Sequence, residues 1–423
     1  MVRTSQRDRP AQLSLANGAS TRQQRRSSER PALQVAGFFA GIGGIEAGLH
    51  RAGHSTSLLC EWDDSASAVL RARFQGVELV GDVREVRSVP AATELLTAGF
   101  PCQDLSQAGM TRGIDGDRSG LVAEILRLLG RRRVPWVLLE NVPFMLQLAR
   151  GRALDFILGE FERLGYRWAY RIIDTRSFGL PQRRQRVFIL GSTECDPRDV
   201  LLVDDAGPVE IEATREVAFG FYWTEGIRGL GWAIDAVPTL KGGSTVGIPS
   251  PPAALMLDGT IVTPDLRDAE RLQGFPSDWT KPAEIVGRRS FRWKLVGNAV
   301  SVPAAAWIGR RLRKPGSYDR SWDAPLPSGS PWPRAAWNAG SGRFASSVSE
   351  WPVRRRAQHL HEFLRYPAEP LSIRAAVGFR ARTRQSSLRF PPGFLDAVDA
   401  HIRRMGEGGG REARARREAS AAR

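Results

Sequence analysis

A chain of 423 residues with 42% apolar content holds enough hydrophobic material for two domains, or for one large α/β domain with insertions, which excludes global disorder. No apolar run approaches the ~18 residues that cross a bilayer, the Arg-studded N-terminus lacks the apolar stretch of a secretory signal, and Cys60, Cys102 and Cys195 are too few for a disulfide framework or a four-ligand zinc site. The net charge of +16 divides into +5 over residues 1–33, +2 over 34–314 and +9 over 315–423, so a polyanionic partner is suggested by the ends of the chain and not by its middle. These features place the chain in a reducing, cytoplasmic compartment with no membrane and no metal. Lysine occurs only at 241, 281, 294 and 314, so part of the Arg excess is compositional, and basicity alone identifies no function.

Residues 1–33 are rich in Gln, Ser and Arg without apolar periodicity and read as a disordered basic arm. From 34 to 191 short apolar runs alternate with amphipathic stretches. Strands are expected at Val35 to Phe39, Thr56 to Cys60, Leu95 to Phe100, Val134 to Leu139 and Val187 to Leu190. Helices are expected at Gly44 to Ala52, Ala66 to Phe74, Leu121 to Leu129 and Ala153 to Leu164. That alternation predicts a doubly wound, Rossmann-like α/β sheet. Over 192–264 Gly, Pro and Trp are frequent and periodicity weakens, as in a small inserted domain. Order returns over 265–314 with a helix from Asp265 to Gln273. The segment 315–405 is a Pro- and Trp-rich extension of unknown role with helix-like patches near 357–365 and 394–404, and 406–423 reads as a disordered tail.

Four groups of residues carry chemistry. The first strand runs into Phe39-Ala40-Gly41-Ile42-Gly43-Gly44, a turn that lets a ligand approach the backbone before a helix begins. Glu61 follows Gly41 by 20 residues, where a carboxylate in this fold holds ribose hydroxyls. Trp62 offers a flat face for adenine, and Asp82, before Val83, an acceptor for its amino group. Glu46 stands where a dinucleotide fingerprint favours Gly, so an adenosine cofactor without phosphates fits better. Cys102 follows an apolar strand and Pro101, which makes it a candidate nucleophile. Glu140 ends the apolar run from Val134; apolar surroundings there raise a carboxyl pKa and let it hand a proton to a ring nitrogen. In Gln182-Arg183-Arg184-Gln185-Arg186, an extended chain sends Arg184 and Arg186 to one face, suiting nucleotide phosphate or carbonyl oxygens, and Arg183 to the other.

Taken in order, the blocks F-A-G-I-G-G (39–44), E-W (61–62), G-D-V (81–83), G-F-P-C-Q (99–103), E-N-V (140–142), Q-R-R-Q-R (182–186), R-D-A-E-R-L-Q-G-F-P (267–276) and V-G-N-A-V (296–300) resemble those of the bacterial DNA (cytosine-5) methyltransferases. The resemblance covers about residues 35–310. It implies a catalytic domain over 34–191 and 265–314, a target-recognition region over 192–264, and methyl transfer from S-adenosylmethionine to C5 of a cytosine flipped out of duplex DNA. Carried over residue by residue, it makes Cys102 the nucleophile at C6 and Glu140 the group at N3, with Arg184 and Arg186 holding the base and its phosphate. Phe39, Gly41, Ile42, Gly43, Glu61, Trp62, Asp82, Val83, Pro101, Leu121, Asn298 and Val300 match cofactor-pocket positions. Residues Ser106 to Ser119 match a mobile loop that closes over the target.

Gln103, Ser106, Thr239, Lys241 and Arg267 are the expected DNA contacts, with Thr239 to Ser244 the segment in the recognition region most like a DNA-contacting loop. The target sequence itself is not legible. The Trp and Arg content of 315–405 fits either DNA binding or a cover over the catalytic domain. A monomer paired with a restriction endonuclease encoded nearby, or a phage-defence role, fits the motifs. Two alternatives share them: a transfer-RNA cytosine-5 methyltransferase of the same fold, and a DNA-binding relative without catalysis.

Overall fold

The computed structural model describes residues 29–101, 120–214, 216–242 and 251–421, with side chains to residue 407. In chain order the first half comprises β1 (Gln34–Phe38), α1 (Gly44–Arg51), β2 (Ser55–Cys60), α2 (Asp64–Arg73), β3 (Glu78–Val80), β4 (Leu95–Ala98), α3 (Leu121–Arg131), β5 (Trp136–Asn141), α4 (Arg152–Arg163), β6 (Arg167–Asp174), β7 (Gln182–Arg183) and β8 (Gln185–Ser192). Strands β3-β2-β1-β4-β5 run parallel in that spatial order, and β8 and then β6 continue the sheet antiparallel. This is the Rossmann-like sheet that the alternating pattern predicts. Its order reverses between β1 and β4, which is where an open α/β sheet leaves a crevice at its carboxyl edge.

Both faces of the sheet are covered, and the sequence of β5 records it. All six of its residues are buried, with Val137 and Leu139 packed among Val122, Ile125 and Leu129 of α3 and Leu154, Ile157 and Phe161 of α4. On the opposite face Trp136 and Leu138 meet Ile45 and Leu49 of α1 and Trp307, Ile308 and Leu312 of a later helix. A strand buried on two sides reads as a continuous apolar run, which is why Val134 to Leu139 stands out in the sequence. Residues 29–33, expected within the disordered arm, are tied down: Glu29 pairs with Arg313 at 2.6 Å and the Leu33 N–H donates to His54 Nδ1 at 3.0 Å. The rest of the arm, 1–28, lies outside the described residues.

The second half forms β9 (Phe219–Phe221), β10 (Trp232–Ile234), β11 (Val237–Pro238), β12 (Ala253–Leu255), β13 (Ile261–Thr263), α5 (Leu266–Leu272), α6 (Arg292–Asn298), α7 (Val302–Arg313), β14 (Ala324–Pro325), β15 (Ala335–Asn338), β16 (Arg343–Ala345), β17 (Glu369–Pro370), α8 (Ile373–Thr383) and α9 (Phe394–Ala421). A small sheet of order β10-β9-β12-β13-β17 stands beside the large one, and β11 pairs with β7 between them. Its core joins Phe219, Phe221, Leu255 and Ile261 to Leu371, Phe379, Phe394 and Val398.

The extension therefore has a structural role at two places. Strand β15 adds antiparallel to the β6 edge of the large sheet, with β16 and β14 beyond it, burying Trp337 on Phe344 at 4.4 Å. Strand β17 and helices α8 and α9 then complete the small domain, which is thus built from two stretches separated in sequence and not from 192–264 alone. The expected disordered tail over 406–423 is replaced by helix to Ala421, consistent with the Ala, Arg and Glu content of 411–421. Among the described residues no helix is long and apolar enough to cross a membrane.

Candidate active site

The glycine turn after β1 is forced into left-handed backbone. Phe39, Gly41 and Gly43 have φ of 52°, 56° and 78°, and an aromatic residue in that region is strained, as at ligand clamps. The turn is held from across the crevice by Glu61 at the end of β2. Its Oε2 accepts the Gly41 N–H at 2.7 Å and its Oε1 the Asp63 N–H at 2.8 Å, while burial pushes the carboxyl up against the pull of those donors. Two accepted bonds leave a carboxylate further acceptor capacity for hydroxyls. Beneath the turn, Glu46 of α1 is buried under β1 and β4. Its Oε1 accepts from Thr97 Oγ1 at 2.8 Å, its Oε2 has no partner among the described residues, and burial raises the carboxyl to about 7.

These elements enclose a cavity of about 530 Å³. Ten sequence-predicted cofactor residues line it: Phe39, Gly41, Ile42, Glu61, Trp62, Asp82, Val83, Pro101, Leu121 and Asn298. Two do not. Gly43 turns its Cα toward the Phe74 ring as the N-cap of α1, and Val300 packs its backbone on Gly44, so both support the wall from behind. Reading the sequence missed Cys60, Asp63, Ala66, Gly81, Arg84, Gly99, Lys294 and Leu295, which also line it. Cys60 and Gly99 lie within the motif-bearing strand ends and could have been included. Lys294 and Leu295 arrive from α6, more than 200 residues away, with only the nearby V-G-N-A-V block as a signal.

The charges on the wall are paired off. Arg84 binds Asp82 at 2.6 Å, holding that carboxyl below the usual range, and lies over the Trp62 ring at 5.7 Å. Lys294 binds Asp63 at 3.0 Å. The Trp62 side of the cavity is open, with that residue 72% exposed. A largely apolar cleft with a flat indole, a carboxylate with spare acceptor capacity and both cations already neutralised suits a nucleoside that carries no phosphate.

Glu140 stands at the carboxyl end of β5, beside this cavity and 7% exposed. Burial raises its carboxyl, opposed by the positive charges of Arg186 and Arg184. Arg186 Nε binds its Oε1 at 3.0 Å, and a methyl group placed on Gly99 would lie 3.4 Å from its Oε2. Asn141 Nδ2 donates to the Phe100 carbonyl at 3.0 Å, which fixes the end of β4 against β5. Glu140 therefore lies against Gly99, which precedes the candidate nucleophile by three residues in the Gly99-Phe100-Pro101-Cys102 run. Cys102, Gln103, Ser106 and the loop to Ser119 lie outside the described residues.

The remaining predicted contacts are differently placed. Arg184 is fully buried and its Nη atoms donate to the carbonyls of Leu240, Gly297 and Ala299 at 3.0, 3.1 and 2.6 Å, while its Nε has no partner among the described residues; both Nη atoms are committed to backbone. Burial lowers its pKa. Lys241 pairs with Glu225 at 3.1 Å over the Tyr222 ring, and Thr239 Oγ1 donates to the Arg183 carbonyl. Arg267 pairs with Asp265, the N-cap of α5, at 2.8 Å and stacks over Tyr366, so its guanidinium is engaged at the start of that helix. Gly243 and Ser244 lie outside the described residues.

Comparison with known proteins places this architecture. The family model for C-5 cytosine-specific DNA methylase matches residues 33–212. The type II methyltransferase M2.BsuMI of Bacillus subtilis (strain 168) is 45% identical over 381 residues, covering 87% of this chain and 97% of that protein. The type II methyltransferase M.NgoBI of Neisseria gonorrhoeae is 31% identical over 288 residues, covering 63% and 88%. Among solved structures, the S. pombe Dnmt2 methyltransferase aligns at 17% identity with a TM-score of 0.49, covering 67% of this chain and 98% of that one.

Proposed function

The chain belongs to the C-5 cytosine-specific DNA methylases and is a DNA cytosine methyltransferase, and from that premise we propose how its residues carry the reaction. Cytosine C5 is a poor nucleophile. The Cys102 thiolate adds to C6, forming an Sγ–C6 bond, while Glu140 in its protonated form donates to N3, so that the ring becomes an enamine nucleophilic at C5. S-adenosylmethionine, when bound, supplies an electrophilic methyl group. Transfer of that methyl to C5 would leave S-adenosylhomocysteine; loss of the C5 proton to water, with the N3 proton returned to Glu140, then lets the Sγ–C6 bond break and returns the thiolate. Because C5 and C6 are stacked inside a duplex, the target base must leave the helix to reach Cys102.

Glu61 would hold the ribose hydroxyls of the cofactor, Trp62 and Phe39 its adenine, and Asp82 the adenine amino group. The fit of a phosphate-free nucleoside is supported by the pairing of Arg84 and Lys294, which leaves neither cation of the wall uncommitted. Arg186 orients Glu140. The observation that carries the reading is the buried Glu140 carboxyl, raised by desolvation and held by Arg186 beside Gly99. Type II relatives support a place in restriction-modification, with a cognate endonuclease reading the same site.

Base-resolution sequencing of DNA from cells expressing the chain, with nucleoside mass spectrometry of DNA and tRNA, tests substrate and target together. A duplex carrying 5-fluorocytosine at that target should trap the wild-type chain covalently, since fluorine cannot leave as the proton does, and should not trap Cys102→Ala. Turnover by Cys102→Ala, or methylation confined to tRNA, would refute the proposal.

A further inference from the structure

Between the two domains the chain has no slack. Thr239–Gly242 leaves β11 and runs directly over Gly297–Ala299 at the end of α6. A methyl group on Gly297 would overlap the Lys241 backbone, and one on Gly242 would overlap the Asn298 side-chain amide. The two segments are clasped from below by side chains of the Gln182–Arg186 run. Arg184 donates to Leu240 on one segment and to Gly297 and Ala299 on the other. Gln182 accepts the Leu240 N–H at 3.0 Å and donates to the Leu272 carbonyl at 2.8 Å, while Gln273 donates to Val296 at 2.8 Å.

The two Nη atoms of Arg184 reach carbonyls on both sides of the domain boundary, while its buried Nε has no partner among the described residues, so the clasp rests on the planar fork of the Nη donors. Each clasped segment also has a working side. On one, Lys241 presents a half-exposed ammonium held by Glu225 and the Tyr222 ring. On the other, Asn298 lines the cavity. A phosphate drawing Lys241 from Glu225 would shift Thr239–Gly242, and the close packing would pass that shift to Asn298.

Resting on the function proposed above, we propose that Arg184 is a positioning residue that couples the enzyme's two ligands: DNA held by the small domain and S-adenosylmethionine held by the catalytic domain each tighten the other through these clasped segments. The coupling is reciprocal by thermodynamic necessity.

The test is titration of S-adenosylhomocysteine into the full chain, with and without a saturating duplex that carries the methylated target. For wild type the dissociation constant should fall by about fivefold or more when the duplex is present. Arg184→Lys, which keeps the charge and loses the fork, should reduce that ratio to within about twofold while the melting temperature confirms folding. If Arg184→Lys does not fold, Gly242→Ala reads the same coupling, because its methyl displaces only the Asn298 amide. It should weaken S-adenosylhomocysteine although it lies outside the cavity. A wild-type ratio of one, or the full ratio in folded Arg184→Lys, or both an unaltered ratio and unaltered affinity in Gly242→Ala, overturns the inference. A chain that methylates DNA cytosine yet shows a ratio of one refutes the coupling alone; one that methylates no cytosine refutes the function beneath it.

Discussion

Replacing Phe379 by Ala tests whether the C-terminal helices are part of the small domain or an appendage. Phe379 of α8 is 1% exposed, its ring 4.6 Å from Phe221 of β9 and 6.0 Å from Phe390. Truncation removes a buried ring whose transfer from water, at ~25 cal/mol per Å² over roughly 150–200 Å², contributes about 4–5 kcal/mol. Phe221 and Phe394 are anchored in the sheet and α9, so the site collapses only in part. The expected destabilisation is about 3–5 kcal/mol, with Phe379→Leu costing well under half of that. Urea unfolding followed by tryptophan fluorescence gives the value, because Trp223 and Trp232 pack against the same core. Affinity for a DNA duplex should fall with the folded fraction of the small domain, while S-adenosylhomocysteine still binds, since its proposed cavity contains no residue from beyond Asn298. A loss below about 1 kcal/mol, or unchanged DNA affinity in a clearly destabilised variant, would show that α8 is not structural to the recognition module.

Glu61→Ala should raise the Michaelis constant for S-adenosylmethionine by about 10-fold or more, from the loss of charge-assisted bonds to hydroxyls, and leave that for DNA near wild type; steady-state kinetics with each substrate varied would detect the reverse pattern. Glu140→Gln should slow single-turnover methyl transfer by about 10²-fold or more. Because burial raises the Glu140 carboxyl, wild-type rates should hold to higher pH than an exposed glutamate would allow and then fall as it ionises, a limb that the Gln variant should lack. For Glu46 the folded carboxyl titrates near 7 against an ordinary 4.5, so the folded state binds the proton more tightly. Its contribution to stability is full below pH 4.5 and is lost as pH rises through about 7; Glu46→Gln should flatten that window and be more stable at pH 8 by about 2–3 kcal/mol, read from urea midpoints across pH.

Local chemistry was open to a sequence reader wherever neighbours along the chain create the effect. Val134 to Leu139 is apolar throughout because β5 is covered on both faces, and its end at Glu140 announces a desolvated carboxyl. The glycine turn, Glu61 and Asp82 stand at successive strand ends, so the alternating pattern already brings them to one edge of a parallel sheet. Strand β6 escaped notice because Arg171 interrupts its apolar run; only the fold explains that residue, whose buried guanidinium binds the carbonyls of Leu201, Asp204 and Ser349.

What tertiary structure alone decided concerns partners distant in sequence. Extended geometry puts Arg184 and Arg186 on one side of the strand, yet Arg186 meets Glu140 whereas Arg184 is consumed by carbonyls from 56 to 115 residues away. Lys241 looks like a free cation until Glu225 and Tyr222 close on it. The extension looks like a basic appendage by charge arithmetic, because its charges are exposed and legible one by one. Its apolar residues, Trp337 at the edge of the large sheet and Phe379 and Phe394 in the small domain, decide its role instead. They recur without a period long enough to reveal which surface they cover, since burial against another element depends on where the rest of the chain has gone.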